Sequence, residues 1–320
     1  MRSLSAAPPW LRAAAFTIGY GLLAAAALYW TRRDAAMAAF WPANGFLAAA
    51  CILLPANYRW ATLGAAALLN AIIACALGYS AGSSILFATA NAMEAGLAAV
   101  LALRYCGVKA RRLGLRRLVQ LLVIAILPAA FASTVFVCLM GSFAFHTPPE
   151  PFWRAWFLTE VLGMAITLPA VLLIARAPSY PEFRRTWTEA GALLAGLAML
   201  TFGVFAETGL PLMFLPFPAM VLIAFRLGPA GAAGAGLVVV AIATPLTVLG
   251  HGPAMLSRAI DFAARVHLVE GFAGAMLFTG LAVGGAVADQ ARLARRLLTR
   301  EQALRAARQR ARPPQDAATA

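Results

Sequence analysis

Repeated apolar runs are the feature that most constrains this chain. Ten of them lie at about residues 13–30, 41–55, 60–79, 83–103, 117–141, 155–175, 188–206, 211–225, 229–249 and 267–287. A helix needs about 20 predominantly apolar residues to cross the hydrocarbon core, and most of these runs reach that length. The runs at 41–55 and 211–225 are short, and the sequence leaves open whether they cross fully. The pattern predicts an all-α polytopic membrane helix bundle with about 8–10 transmembrane helices, ten being the preferred number.

The composition agrees with a membrane protein and argues against a nucleic-acid-binding one. Only 12% of the residues are charged, 62% are hydrophobic, and the mean hydropathy is +0.80. Soluble domains carry about 25% charged residues. The net charge of +14 would suggest nucleic acid if the basic residues covered one soluble face. They stand instead in short clusters between apolar runs, so we expect the lipid bilayer as the surroundings and no nucleic-acid partner.

The loops differ in their basic residues. With a cytoplasmic N-terminus, all but five of the 26 Lys and Arg fall on the inner side, the outer five being Arg32, Arg33, Arg154, Arg258 and Arg265. This distribution follows the positive-inside rule and predicts that both termini are cytoplasmic. No convincing small-residue cleavage site of a signal peptide lies between the first and second runs. The first run is therefore expected to remain as an uncleaved span. Because the outer loops are too short for a folded domain, we expect any signal to be detected within the membrane or by these loops.

The last apolar run continues into an Arg-rich stretch without Gly or Pro before Pro313. We therefore divide the chain into a membrane domain at 1–287, a cytoplasmic linker or signalling helix at 288–312, and a disordered tail at 313–320. The linker has a weak hydrophobic seam of the coiled-coil kind. This pattern fits a short signalling helix and a basic helix held at the anionic leaflet equally well.

A few polar residues interrupt the apolar runs. Glu94 lies mid-run with Asn91 one turn before it on the same helical face. Polar groups at membrane depth are costly and count as a functional-site hypothesis. We expect a ligand-binding or polar intramembrane cluster formed by Asn44, Asn70, Asn91, Glu94 and Glu160, with Trp41 and His251 as further contributors from the outer side. The sequence leaves open whether this cluster binds a ligand or a proton, or only clamps helices together by hydrogen bonds.

Two other sets of residues have structural interpretations. Glu270, at the outer start of the tenth run, is expected to be a solvated boundary residue near Arg265. Trp153 and Trp156 are expected to anchor the sixth run at the membrane interface, where aromatic residues are enriched.

Signals of catalysis are absent from the sequence. It has no Gly-rich phosphate loop, no HExxH, and no nucleophile elbow. The four cysteines form no CxxC, and the three histidines lie at or outside the outer boundary. We therefore expect a non-enzymatic protein with no catalytic residues, no metal and no cofactor.

Several short motifs, in their order and spacing, resemble one known family. They are Trp41-Pro42-Ala43-Asn44-Gly45, Tyr58-Arg59-Trp60, Asn91-Ala92-Met93-Glu94, Glu160-Val161-Leu162-Gly163, Arg226-Leu227-Gly228-Pro229 and Gly250-His251-Gly252-Pro253. Together they resemble the bacterial membrane-associated sensor domain, type 1, over about residues 10–295. The resemblance implies a multi-pass sensor of the bacterial inner membrane, usually fused at its C-terminal end to a histidine kinase, diguanylate cyclase or phosphodiesterase. Because no such domain follows Arg312, we expect a cytoplasmic kinase or cyclase as a separate partner, or a truncated form of the protein.

Two functional hypotheses from different classes follow. The first is a sensory domain that detects a small ligand or a membrane-associated signal. It would relay this signal through its C-terminal helix, ideally as a homodimer, in two-component or cyclic-di-GMP signalling. The alternative is a small-solute transporter or its substrate-binding membrane subunit, since ten spans with a buried acid suit that role equally well. A membrane-embedded transferase would need acidic clusters with metal or phosphate partners at the interface, which the sequence lacks.

Overall fold

The structure is a computed structural model that describes residues 7–31, 38, 40–109, 113–145, 149–177, 187–257 and 261–310. Its α-helices are α1 (Pro9–Thr31), α2 (Ala43–Leu53), α3 (Ala56–Ala76), α4 (Ala81–Tyr105), α5 (Leu115–Gln120), α6 (Leu127–Phe145), α7 (Pro149–Ala175), α8 (Trp187–Ala206), α9 (Pro216–Val248) and α10 (Phe262–Arg310). A π-helical segment, Leu121–Ile126, joins α5 to α6, and a 3₁₀ turn, Pro253–Leu256, follows α9. The expected all-α polytopic bundle is confirmed.

Among the described residues, fewer helices than the preferred ten have the length and composition of a span, with the broken helix α9 counted once. In the described ranges, eight helices are long and apolar enough to cross a membrane. The run at 41–55 forms α2, whose 11 residues reach only about 17 Å and which buries nine of them in the bundle. The runs at 211–225 and 229–249 together form α9, which begins only at Pro216.

A sharp break divides α9 into two arms. Gly228 has φ 68° and ψ −162°, a conformation that residues with a Cβ rarely adopt, and Pro229 follows it. Met220 before the break and Ala232 after it both lie beside Gly280 of α10. The two arms therefore turn toward the same part of α10 and do not continue as one rod of about 50 Å. The break falls in the gap that the sequence predicts between the two runs.

The helices pack in two groups that meet at α7. The short helix α2 packs against α1, α3, α4 and α7, whereas α8 and α10 both pack against α9. Helix α7 also contacts α9 and α10. The C-terminal carbonyls of α2 accept hydrogen bonds from two arginines, Arg12 to Leu53 at 2.9 Å and Arg59 to Leu54 at 3.1 Å. These contacts satisfy carbonyls that a helix end leaves without partners.

Two glycines bring α2 and the segment before it against α7. A Cβ on Gly45 would lie 3.0 Å from the Cα of Met164, and a Cβ on Gly163 would collide with the carbonyl group of Trp41. Neither position therefore accepts a larger side chain without moving backbone. Small residues allow this close approach of helices in membranes, and here it places the start of α2 beside Glu160.

The last helix, α10, runs without a break over 49 residues. Its first part packs on α9 and α7. Between about residues 289 and 304 the side chains that the structure describes are mostly exposed, among them Leu293, Leu297 and Leu304. We call residues 288–310 the α10 extension. The expected disordered tail at 313–320 lies outside the described residues.

Candidate functional site

The centre of the site is the side chain of Asn44, the second residue of α2. Asn44 is fully buried. Its amide nitrogen lies 3.1 Å from Asn91 Oδ1, 3.3 Å from Glu94 Oε2 and 2.9 Å from Glu160 Oε2. An amide nitrogen carries two hydrogens, so these three acceptors compete for two donors. One side chain thereby joins α2 to α4 and α7.

Trp41 fixes the orientation of this amide. Its indole Nε1 donates a hydrogen bond to Asn44 Oδ1 at 3.1 Å. Because the indole nitrogen is a donor only, it pairs with the oxygen end of the amide and leaves the nitrogen end facing the acids. Trp41, the first residue of the motif Trp41-Pro42-Ala43-Asn44-Gly45, is therefore part of the site.

The two acids of the site lie close together in a buried place. Glu94 is 0% exposed and Glu160 is 2% exposed. No Lys or Arg of the described ranges forms an ion pair with either carboxyl within 4 Å. Two buried carboxylates without a counter-charge would repel each other strongly. The pair is thus a place where a proton or the cationic group of a ligand would be stabilised.

A further chain of hydrogen bonds supports Glu94 from α6 and α7. Ser133 Oγ donates to Glu94 Oε2 at 2.7 Å, and Trp156 Nε1 donates to Ser133 Oγ at 3.2 Å. Ser133 carries no signal in the sequence that distinguishes it. Trp156 was expected to anchor the helix at the interface, but it is only 7% exposed and its indole points into the bundle. That expectation is wrong because the face of α7 that carries Trp156 packs inward.

A small cavity lies beside the cluster. Its volume is about 40 Å³, and its wall includes Glu160, Asn91 and Asn70. The cavity also touches the aromatic side chains of Trp41, Tyr79, Phe87 and Trp156. A cavity of at least about 10–15 Å³ holds one water when polar groups line it, so this one has room for a few waters. It lies toward the end of the bundle where α3 ends and α4 begins, which is the outer end in the predicted orientation.

The structure brings most of the predicted site residues together. Trp41, Asn91, Glu94 and Glu160 each form a hydrogen bond with Asn44. Asn70 lies in the cavity wall, and its Nδ2 atom has no hydrogen-bond partner among the described residues.

Two placements differ from expectation. His251 is exposed in the turn after α9, and it is not one of the residues that form the cluster or line the cavity. Asn44 would lie near the outer boundary if the run at 41–55 crossed the membrane from its outer end, but it contacts Glu94 near the midpoint of α4, so the segment before α2 enters the bundle.

A second buried acid lies on α10. Glu270 is 0% exposed, and neither of its carboxyl oxygens has a hydrogen-bond partner in the part of the chain that the structure describes. The expectation of a solvated boundary residue is therefore wrong, because α10 begins at Phe262 and carries Glu270 more than two turns into the bundle. One turn earlier, His267 Nε2 lies 3.1 Å from Thr159 Oγ1, a contact that joins α10 to α7 next to Glu160.

Comparison with known proteins places this arrangement in a family. No curated protein and no solved structure was found to match the chain. The family model MASE1 matches residues 10–291, a range that contains the whole cluster and the buried part of α10. The chain therefore belongs to the MASE1 family of membrane-associated sensor domains.

Proposed function

We propose that this chain binds a small ligand at the polar cluster and relays its occupancy through α10 to a cytoplasmic signalling partner. The observation that carries the proposal is the single buried amide of Asn44 that bridges Glu94 and Glu160 beside a cavity. Membership in a membrane sensory family supports a sensor role. The ligand and the relay are our inference from the geometry.

The chemistry of the cluster favours a ligand with a cationic or hydrogen-donating group. Such a group would compete with the Asn44 amide for the two carboxyls. Glu94 Oε1 has no hydrogen-bond partner among the described residues and would accept a further donor. Aromatic walls suit a cation or an apolar body. Since the cavity holds about 40 Å³, the ligand is small or displaces aromatic side chains as it enters.

The route to the output begins on α7. This helix carries Glu160 and packs against α9 and α10. The contact between Thr159 and His267 joins the turn next to Glu160 directly to α10. A ligand that moves this turn would therefore move α10, whose helix continues unbroken to Arg310. Coupling of this kind needs a connected element that both sites can bias.

The α10 extension is the proposed contact with the partner. Leu293, Leu297 and Leu304 are 58%, 64% and 62% exposed, and their spacing of four and seven residues puts them on one face of the helix. This face fits a helix of a kinase or cyclase, or the same helix of a second copy in a homodimer. We place the protein in a bacterial inner membrane with the extension in the cytoplasm, in agreement with the positive-inside distribution.

The proposal is tested by signal output in cells that produce the full chain. Glu94→Gln and Glu160→Gln keep the size of the side chain and remove its charge. Glu207→Gln, at an exposed acid outside the cluster, is the matched control. We expect protein-histidine phosphorylation or cyclic-di-GMP levels to change in both cluster variants and not in the control. Unchanged levels in cluster variants that fold normally would show that the site assignment is wrong.

A further inference from the structure

A second, larger cavity lies at the opposite end of the bundle from the first. It forms where α4 ends, α5 begins and α10 leaves the bundle, and its volume is about 480 Å³. Ligand pockets in proteins commonly fall between about 300 and 1,000 Å³. In the predicted orientation this cavity faces the cytoplasm at the level of the lipid headgroups. No residue of the polar cluster lines it.

The charged side chains that line this cavity are mostly basic. Arg116, Arg117 and Arg292 line it, against a single acid, Asp289. In the described part of the chain, neither Arg116 nor Arg292 forms an ion pair with Asp289 within 4 Å. The cavity therefore presents a net positive charge that attracts anions. The planar guanidinium group matches the geometry of a phosphate, to which it donates two parallel hydrogen bonds.

Hydrogen bonds between neighbouring elements hold the wall of the cavity in place. The Cys106 thiol donates to the carbonyl oxygen of Gln120 at 3.4 Å and joins the end of α4 to α5. Arg176, just after α7, donates to the carbonyl oxygen of Val108 at 2.6 Å. The turn after α4 is thus fixed from two sides, and the cavity has a defined wall.

We propose that this cavity binds a phosphate-bearing group and that its occupancy sets the position of the α10 extension. Arg116 stands on α5 and Arg292 on α10, so a phosphate held by both would fix the start of the extension against α5. Tyr105 lines the cavity and is 54% exposed. Tyrosine is enriched at the membrane–water interface, which agrees with a cavity at the level of the headgroups. The phosphate belongs either to a phospholipid headgroup or to a soluble compound. The site shares no residue with the polar cluster, so phosphate binding here does not depend on ligand binding there.

Thermal unfolding of the purified full chain in a neutral detergent tests the proposal. A ligand that binds only the folded state raises the unfolding temperature as its concentration rises. The probes are dioctanoyl phosphatidylglycerol, dioctanoylglycerol, which lacks the phosphate, and sodium phosphate against sodium chloride at equal ionic strength. The pocket variant is Arg116→Gln with Arg292→Gln. The control is Arg296→Gln with Arg300→Gln, which removes the same charge at positions outside the cavity.

The expected result is a rise with a phosphate-bearing probe and none with dioctanoylglycerol. The pocket variant should bind on the order of tenfold or more weakly, because it loses two charge-assisted hydrogen-bond donors, and the control should bind as the unaltered chain does. A rise with phosphatidylglycerol alone assigns a lipid headgroup, and a rise with sodium phosphate assigns a soluble source. If the pocket variant folds poorly, Arg292→Gln alone, at an exposed residue, replaces it. The proposal is overturned if neither phosphate probe raises the unfolding temperature, or if pocket and control variants lose the response equally.

Discussion

Asn44 Nδ2 and Glu160 Oε2 lie 2.9 Å apart although 116 positions separate the two residues in the chain. The contact joins the short buried helix α2 to α7, the helix that also packs on α10. It depends on the close approach that Gly45 and Gly163 allow.

The cluster should lose stability when its central amide is removed. Asn44→Ala deletes the donor shared by Glu94 and Glu160 and leaves both acids with fewer partners. At about 0.6–2 kcal/mol for each intramembrane hydrogen bond, we expect a loss of roughly 2–4 kcal/mol, seen as a lower unfolding temperature in nanodiscs. Asn57→Ala, at an exposed asparagine of α3, is the control and should change the unfolding temperature little. Equal effects of the two substitutions would contradict the central role of Asn44.

The approach of the Trp41 segment to α7 should not tolerate a single methyl group. Gly163→Ala would drive a Cβ into the carbonyl group of Trp41. We expect a loss of about 1–3 kcal/mol from this overpacking. Gly191→Ala in α8, where a Cβ meets no atom within 4 Å, should be neutral or stabilising, because alanine favours a helix. If the two substitutions change the free energy of unfolding by the same amount in the same direction, the Trp41 segment does not approach α7 as closely as described.

The break in α9 should depend on a residue without a Cβ. Gly228→Ala forces alanine into φ 68°, ψ −162°, which costs about 1–3 kcal/mol. Gly234→Ala in the second arm, where a Cβ meets nothing within 4 Å, is the control and should not destabilise. The unfolding temperatures of the two variants check this, and a Gly228→Ala protein as stable as the control would argue for one continuous helix.

Glu270, the buried acid of α10, should lower the free energy of unfolding of the native protein. Glu270→Met replaces two buried oxygens without hydrogen-bond partners among the described residues by an apolar group of similar size. We expect a gain of about 1–3 kcal/mol, the usual cost of a buried polar group without a partner. Glu160→Met, at an acid that accepts a hydrogen bond from Asn44, should instead destabilise. A lower unfolding temperature for Glu270→Met would mean that this carboxyl has a bound partner in solution.

The members of the cluster could be predicted from the sequence better than their contacts. Asn44, Asn91, Glu94 and Glu160 stand out because amides and carboxyls inside apolar runs are costly. Ser133 does not stand out, since a serine in a helix commonly bonds its hydroxyl to a preceding carbonyl, and the Ala130 carbonyl oxygen lies 3.2 Å from Ser133 Oγ as an alternative acceptor to Glu94. The pairing of helix faces depends on packing between segments that are distant in the chain. The spacing of residues within one segment does not reveal that pairing.

The same limit explains the errors in depth and burial. A short apolar run such as 41–55 has the same composition whether it crosses lipid or lies inside a helix bundle. Its contacts with four neighbouring helices, which the sequence does not reveal, indicate a position inside the bundle. Glu270 was misplaced because the start of α10 was predicted five residues too late and its face was unknown. The break at Gly228-Pro229, in contrast, follows from local backbone chemistry and was predictable.

Hydrogen exchange in the α10 extension tests the central claim most directly. The full chain is compared in nanodiscs as the unaltered protein, as Glu160→Gln and as Glu207→Gln, and the exchange of backbone amides in 288–310 is followed by mass spectrometry. If the cluster biases α10, Glu160→Gln changes the exchange rates in this stretch several-fold, because local opening there reports the position of the helix, and Glu207→Gln leaves them unchanged. Identical exchange in all three proteins would contradict the account.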